Sequence, residues 1–234
     1  MEKVLLITPT YNESENIQKF IDSTKKFKEL FLLVVDDNSP DGTATIVEKN
    51  MQIIDSVKMI KRSGKLGYGS AIIEGYKWGI ENDFYYFVQM DTDFSHRFED
   101  LIKLLNEKSN YDLVIGSRYV PGGKTSGWPK RRQYLSKFAN KLCRLVFKSS
   151  IKDQTSGFRL LNKKVINEIL NYNPQLNGYA FLVEITNFIE SNNYKIKEVP
   201  IIFQDRFYGN SKMNYKIILE AISYLLKNVF KKRF

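Results

Sequence analysis

Cysteine and histidine are almost missing: the 234 residues hold one of each. A lone Cys143 cannot form an internal disulfide, which fits a reducing compartment. It falls in an apolar-periodic segment, where a thiol serves as core filler. A lone His96 cannot build a zinc cluster by itself, and a local hydrogen-bonding role suits it. No apolar run approaches the ~20 residues of a membrane span, and no signal-peptide pattern opens the sequence. Low-complexity tracts, internal repeats and Gly/Ser linkers are also lacking. Acidic residues are in deficit, 26 against 36 Lys and Arg, giving a net charge of +10. Such an excess attracts polyanions, whether nucleic acid, anionic lipid or phosphorylated substrate, and charge alone does not choose among them. What the chain does have is apolar material, 43% hydrophobic and 14% aromatic residues, enough for one sizeable α/β core.

Short apolar runs at residues 4–8, 31–35, 57–60, 85–90 and 113–115 alternate with helix-like stretches at 15–27, 69–80 and 98–108. The first of these helices is expected to enter through a cap in "NESE", with Asn12 and Glu15. The alternation predicts a mostly parallel sheet covered by helices on both faces. Ligands of such sheets sit at the carboxyl ends of the strands. The polar clusters fall there: "TPTYNE" after the first strand, "DDNSPDGT" after the second and "DTDFSH" after the fourth. Three loops of one rim are therefore expected to converge.

Each cluster has a plain reading and a chemical one. Asp36 and Asp37 precede "SPDGT", which is turn chemistry, and they are either a solvated turn or acceptors for nucleoside hydroxyls and amides. "RSGKLGYGSA" follows the third run, not the first, so it is not the Gly-rich phosphate fingerprint of a Rossmann fold. Its Arg62 and Lys65 place cations on a loop that either closes beside a sugar nucleotide or is a basic turn. Asp91 and Asp93 end an apolar run, and two carboxylates so close repel unless water or a cation separates them. A hard divalent ion takes one or two carboxylates together with substrate phosphates. A bare D-x-D is a weak signal; three supporting loops strengthen it.

"PTYNE", "DDNSPDGT", "GKLGYGSA", "MDTDFSH", "GSRY", "DQTSGFR" and "DRFYGNSK" occur in that order along nearly the whole chain. As a set they resemble the dolichol-phosphate (polyprenol-phosphate) mannosyltransferases, family-2 inverting glycosyltransferases of GT-A fold. Thr92, Phe94 and Tyr68 depart from the family's common residues without removing a charge. The resemblance implies a Rossmann-like α/β catalytic domain over residues 1–213, using GDP-mannose as donor and a polyprenyl monophosphate as acceptor. It implies Mg²⁺ or Mn²⁺ on Asp91 and Asp93, with Ser95 a minor or water-mediated contact. Pro9, Tyr11, Glu13, Asp36, Asp41 and Lys65 are implied for the donor pocket. Arg118, Arg132 and Ser136 are implied for the acceptor phosphate, with Arg131 an alternative to Arg132. Arg206 and Lys212 are implied to come from a loop that covers the diphosphate. The lipid phosphate is already an oxyanion at neutral pH, so no general base is needed.

Residues 214–234 read as an amphipathic basic helix, Lys216, Glu220, Ser223, Lys227 and Lys231 forming its polar stripe. Its wide apolar face suits a membrane surface or another subunit, with a helix that caps the domain core as the plain alternative. The resemblance implies a short, peripheral enzyme on the cytoplasmic face of a membrane, with no role for nucleic acid. A family-2 transferase using UDP-glucose or UDP-N-acetylhexosamine is the main alternative; a nucleotidyltransferase or a non-catalytic lipid- or nucleic-acid-binding module is further off. The first of these last two normally wants an N-terminal Gly-rich phosphate loop, and the second has no need of three acidic loops.

Overall fold

The structure is a computed structural model that describes residues 2–178, 180–205 and 224. In chain order the elements are β1 (Val4–Thr10), α1 (Ser14–Thr24), β2 (Leu30–Asp36), α2 (Thr43–Met51), β3 (Val57–Lys61), α3 (Tyr68–Glu81), β4 (Tyr86–Gln89) and α4 (Phe98–Asn106). They continue with β5 (Leu113–Ser117), β6 (Lys124–Ser126), α5 (Lys130–Phe147), β7 (Arg159–Asn162), α6 (Lys163–Tyr172), α7 (Ala180–Ser191), β8 (Ile196–Pro200) and β9 (Ile202–Gln204). The main sheet runs β3-β2-β1-β4-β7-β5-β8, and β6 pairs with β9 in a small second sheet. Every main-sheet pairing is parallel except those of β7, which runs antiparallel to β4 and β5.

Strand residues alternate between two cores, as a sheet buried on both faces requires. Val4 and Leu6 join Ile17, Phe20, Val47 and Leu101 on the side of α1, α2 and α4. Leu5 and Ile7 join Ile72, Tyr76, Ile166 and Phe181 on the side of α3, α6 and α7. Each fully buried side chain of this kind contributes about 1.5–3 kcal/mol of transfer free energy. Helix α3 lies close on β1 because Gly75 is bare: a Cβ there would stand 2.7 Å from Ile7 Cγ2. Cys143 is buried beside Phe147 and Val183, with Tyr224 packed on the same cluster.

Two expectations need correction. The first helix is not capped by Asn12 and Glu15. Asn12 adopts a left-handed φ of 57°, Glu13 occupies the cap position, and it makes no side-chain capping bond. The acceptors come instead from the loop after β2: Ser14 N–H donates to Asp41 Oδ2 at 2.9 Å and Glu13 N–H to Thr43 Oγ1 at 2.9 Å. The second is the number of strands: β6 to β9 answer to none of the five expected runs, while the main sheet is mostly parallel as expected, with β7 alone reversed. The boundary at residue 213 and the helix at 214–234 fall outside the described residues, Tyr224 apart.

Candidate active site

The loops after β1 and β2 are stitched together by carboxylates. Asp36 has no solvent exposure and accepts from Thr10 Oγ1 at 2.7 Å, Ser39 N–H at 2.9 Å and Ser39 Oγ at 2.6 Å. Asp41 accepts from Ser14 N–H, Thr43 N–H and Thr43 Oγ1. Burial alone would push the Asp41 carboxyl up, but the bonds from Thr43 and Ser14 outweigh it and hold it below the usual range. Glu13 is buried and accepts from Asn16 Nδ2 at 2.9 Å. Among the expected donor residues, then, Asp36, Asp41 and Glu13 first serve to shape the rim. Tyr11 and Lys65 meet across it, the Lys65 ammonium 4.3 Å from the ring centroid, a cation–π distance. Pro9 sits within β1 opposite Val35.

Arg62 is not an available cation. It is buried, pairs with Asp37 Oδ1 at 2.6 Å and donates to Ser70 Oγ at 2.6 Å. Asp37 also accepts from Leu66 N–H and Gly67 N–H. Burial pushes the Asp37 carboxyl up against the pull of Arg62 and these amides. The pair therefore fixes the loop that presents Lys65. The acidic pair in "DDNSPDGT" thus divides its work: one residue closes its own turn and its neighbour holds the next loop.

The turn after β4 is folded on itself. Asp93 Oδ1 accepts from Ser95 N–H at 3.0 Å and Ser95 Oγ at 2.6 Å. Ser95 is fully buried, so its contact is with the aspartate, whose direction it sets. Asp91 N–H donates to His96 Nδ1 at 3.2 Å, the local role expected of that histidine. The His96 ring stacks on Phe158 with centroids 4.9 Å apart and meets the edge of Phe203 at 5.1 Å. Phe94 completes the turn at a φ of 59°, an uncommon conformation for a bulky residue. Asp91 and Asp93 thus share one turn, one of them already oriented. Among the described residues no group of three or more metal-ligating side chains occurs. Two carboxylates on one turn are hard oxygen donors of the type that Mg²⁺ or Mn²⁺ takes beside a diphosphate.

Because β7 is reversed, its first residue lies at the carboxyl ends of its neighbours: Arg159 pairs with Gln89 and with Ile115. The preceding loop, 153–158, therefore joins the same rim. Asp153, fully buried, takes Arg118 Nε at 2.7 Å and Nη2 at 2.6 Å, and Arg118 Nη2 also donates to Thr155 Oγ1. Burial opposes the Arg118 cation, and Asp153 beside it more than restores it, so its pKa lies above the ordinary value. Arg159 is buried and donates to the carbonyls of Gln154, Ser156 and Leu182. Burial holds it down to about 10.

The three residues expected at the acceptor phosphate come together. Arg118 stands 5.6 Å and Arg132 3.8 Å from the Trp128 ring. Tyr119 lies under Arg118 and donates from its hydroxyl to Ser136 Oγ at 2.7 Å. Arg132 also pairs with Asp205 at 3.1 Å, both side chains partly exposed. Asp153, Trp128 and Tyr119 were given no role from sequence; "DQTSGFR" and "GSRY" carried the first and last, and nothing in the local sequence marked Trp128. Arg206 and Lys212 lie outside the described residues.

The sequence pattern of glycosyl transferase family 2 matches residues 5–170. The chain is 38% identical over 224 residues to the polyprenol monophosphomannose synthase of Mycolicibacterium smegmatis, covering 94% of this chain and 84% of that protein. It is 38% identical over 221 residues to the undecaprenyl-phosphate mannosyltransferase of Micrococcus luteus, covering 94% and 91%. Among solved structures, a mannosyltransferase from Pyrobaculum calidifontis in complex with GDP-Man and Mn²⁺ superposes with a TM-score of 0.56 at 16% identity. That match covers 99% of this chain and 64% of the other, and at this identity it speaks for the fold.

Proposed function

This chain belongs to glycosyl transferase family 2, and from that premise we propose that it transfers mannose from GDP-mannose to a polyprenyl monophosphate, with inversion at the anomeric carbon. The observation that carries the reading is the shared rim. An acidic turn suited to a diphosphate-bound cation and a cluster of two arginines and a serine suited to a phosphate stand at one end of one sheet.

In the reaction, an oxygen of the lipid phosphate attacks the anomeric carbon of mannose as the bond to the GDP β-phosphate oxygen breaks. Attack opposite the leaving group inverts that centre. The attacking oxygen carries its negative charge already, so no side chain must remove a proton, and catalysis falls to positioning and charge compensation. Arg132, anchored over Trp128, can turn its guanidinium toward the incoming phosphate, for which its fork is suited. Arg118 has its Nε and Nη2 bound to Asp153 and Thr155, and its positive charge is proposed to draw the acceptor phosphate. Ser136 offers a hydroxyl held by Tyr119. On the donor side, Pro9, Tyr11, Glu13, Asp36 and Asp41 shape the nucleotide pocket, and Lys65 supplies a positive charge over Tyr11. Asp91 and Asp93 would hold Mg²⁺ or Mn²⁺, which supplies charge neutralisation at the departing diphosphate. Arg206 and Lys212 are proposed to cover that diphosphate.

Among the described residues no helix is long and apolar enough to cross a membrane. We place the enzyme on the cytoplasmic surface of a membrane, where a lipid phosphate is met at the headgroup plane. The test is incubation with labelled GDP-mannose, UDP-glucose and UDP-N-acetylglucosamine, each with polyprenyl phosphate. Label entering the organic phase from GDP-mannose alone is expected. Entry from a uridine donor alone would overturn the donor assignment, and entry from none would overturn the reaction class.

A further inference from the structure

Among the described residues, helix α5 is anchored along one side and exposed along the other. Asn140, Cys143 and Phe147 are buried. Asn140 donates to Thr155 Oγ1 at 2.9 Å and accepts from Gln154 N–H at 2.8 Å, tying the helix to the rim loop. On the opposite side Tyr134, Phe138, Leu142 and Leu145 recur at helical spacing with Leu135 beside them. They are 71%, 63%, 37%, 68% and 58% exposed in that order. Half of the large exposed hydrophobic side chains of the described residues thus sit on this one helix, and a continuous apolar stripe of this kind marks a contact surface.

The surroundings say what the stripe meets. Between Asp112 and Asp153 the sequence has no acidic residue, and α5 with its flanks carries Lys130, Arg131, Lys137, Lys141, Arg144 and Lys148. Along one flank of the stripe lies a cavity of about 430 Å³ whose lining includes Arg118, Lys137, Lys141, Arg144 and Lys152. An apolar stripe bordered by cations is the pattern of a helix lying in the plane of an anionic lipid surface. A second copy of this chain would bring the same cations against these, and like charges facing each other are costly.

We infer that α5 is the surface by which this protein docks on an anionic bilayer. Its apolar stripe enters the boundary between headgroups and acyl chains, and its cationic flank meets lipid phosphates. The inference rests on the lipid-phosphate reading above and deepens it. Arg132 and Ser136 lie on the first turns of the same helix, in line with buried Asn140 on its anchored side, so docking through the opposite stripe holds the acceptor cluster about one helix diameter (~10 Å) from the acyl boundary.

The full chain is tested by flotation with phosphatidylcholine vesicles, with and without phosphatidylglycerol and in high salt, and by turnover of a short-chain, water-soluble prenyl phosphate. Wild type should float with anionic vesicles and less with neutral ones or in high salt. Phe138→Glu with Leu145→Glu should lower partition at least about tenfold. Lys137→Gln, Lys141→Gln and Arg144→Gln should each lower it about fivefold. These side chains are exposed, so an unchanged urea midpoint separates loss of docking from loss of fold. Turnover of the soluble acceptor should be unaffected by either set. Equal flotation of variants and wild type overturns the inference, as does a wild type that ignores anionic vesicles. A wild-type dimer that Phe138→Glu splits also overturns it and assigns the face to a second copy. Absent turnover in a wild type that floats as expected, with variants that do not, removes the proposed reaction and leaves the docking surface standing.

Discussion

In Arg118→Ala, a carboxylate without solvent exposure loses its guanidinium. The substitution removes the Nε and Nη2 bonds of 2.7 and 2.6 Å to Asp153 and leaves the backbone N–H of residue 118 at 2.9 Å as its strongest remaining partner there. Breaking a buried pair from one side costs about 3–5 kcal/mol, since the residual charge stays in a poor solvent. Arg118→Lys keeps the charge and loses the fork, so it should fall between. The double variant Arg118→Ala/Asp153→Ala removes both charges and should be less destabilised than Arg118→Ala alone, by about 2 kcal/mol. The assay is urea unfolding followed by far-UV circular dichroism, valid for comparison where the slope m is unchanged. A double variant as unstable as the single one, or a loss below about 1 kcal/mol for Arg118→Ala, would refute the reasoning. Either result would mean that the ion pair does not hold the loop at 153–158. The series also guards the kinetics: turnover of Arg118→Ala is interpretable only at urea concentrations and temperatures where it remains folded.

Arg132→Ala leaves no buried partner stranded, so it should keep its fold and its calorimetric affinity for GDP-mannose while transfer to lipid phosphate slows about ten- to a hundredfold; the reverse pattern would move Arg132 to the donor site. EDTA should abolish transfer and Mg²⁺ or Mn²⁺ restore it, and Asp91→Asn or Asp93→Asn should lose turnover without unfolding; full activity in EDTA would sink the metal assignment. Gly75→Ala should cost about 1–3 kcal/mol in urea unfolding, because its Cβ meets Ile7 Cγ2 at 2.7 Å and the core must shift. Burial pushes the Cys143 thiol from 9.0 up to about 11. An acid whose folded pKa is raised contributes stability that is complete below its unfolded value and lost as pH rises through the folded one. Wild type should therefore lose up to about 2–3 kcal/mol more than Cys143→Ala between about pH 8 and pH 11; parallel profiles for the two would contradict this.

Strands β1 to β5 and helices α1, α3 and α4 were legible because apolar runs of strand length alternate with helical periodicity, whereas β6 to β9, α2, α6 and α7 match none of the expected stretches. The rim loops were legible for the same reason, since polar clusters follow the strands. Less could be read of how the acidic residues are used. Asp36, Asp37 and Asp41 make bonds to Thr10, Arg62 and Ser14, residues up to 27 positions away, and such partners leave no mark in a local window. The α1 cap failed as an expectation for this reason: a distant loop outcompeted the nearby asparagine. Strand β7 is four residues long and directly followed by α6, too short to display a period. Its direction depends on which neighbours it pairs with, and nothing local encodes that. Arg118 and Arg132 were visible as motif residues, while Trp128, which brings both against one ring, was not.

The reversed strand also bears on how the chain acquires its fold during synthesis. Among the described residues β5 pairs with β7 and β8, both later in the sequence, so when residues 113–117 leave the ribosome neither of these strands is available to receive them. β1 to β4 can assemble by then, yet β4 presents an open edge until Arg159 and its successors arrive. A nascent chain halted in α5 would thus carry an unpaired apolar strand, an unpaired sheet edge and an uncovered amphipathic helix together. Such a species invites edge-to-edge association. The seam at β4 and β7 closes late, and refolding yield should be more sensitive to substitutions in residues 159–162 than in the earlier strands.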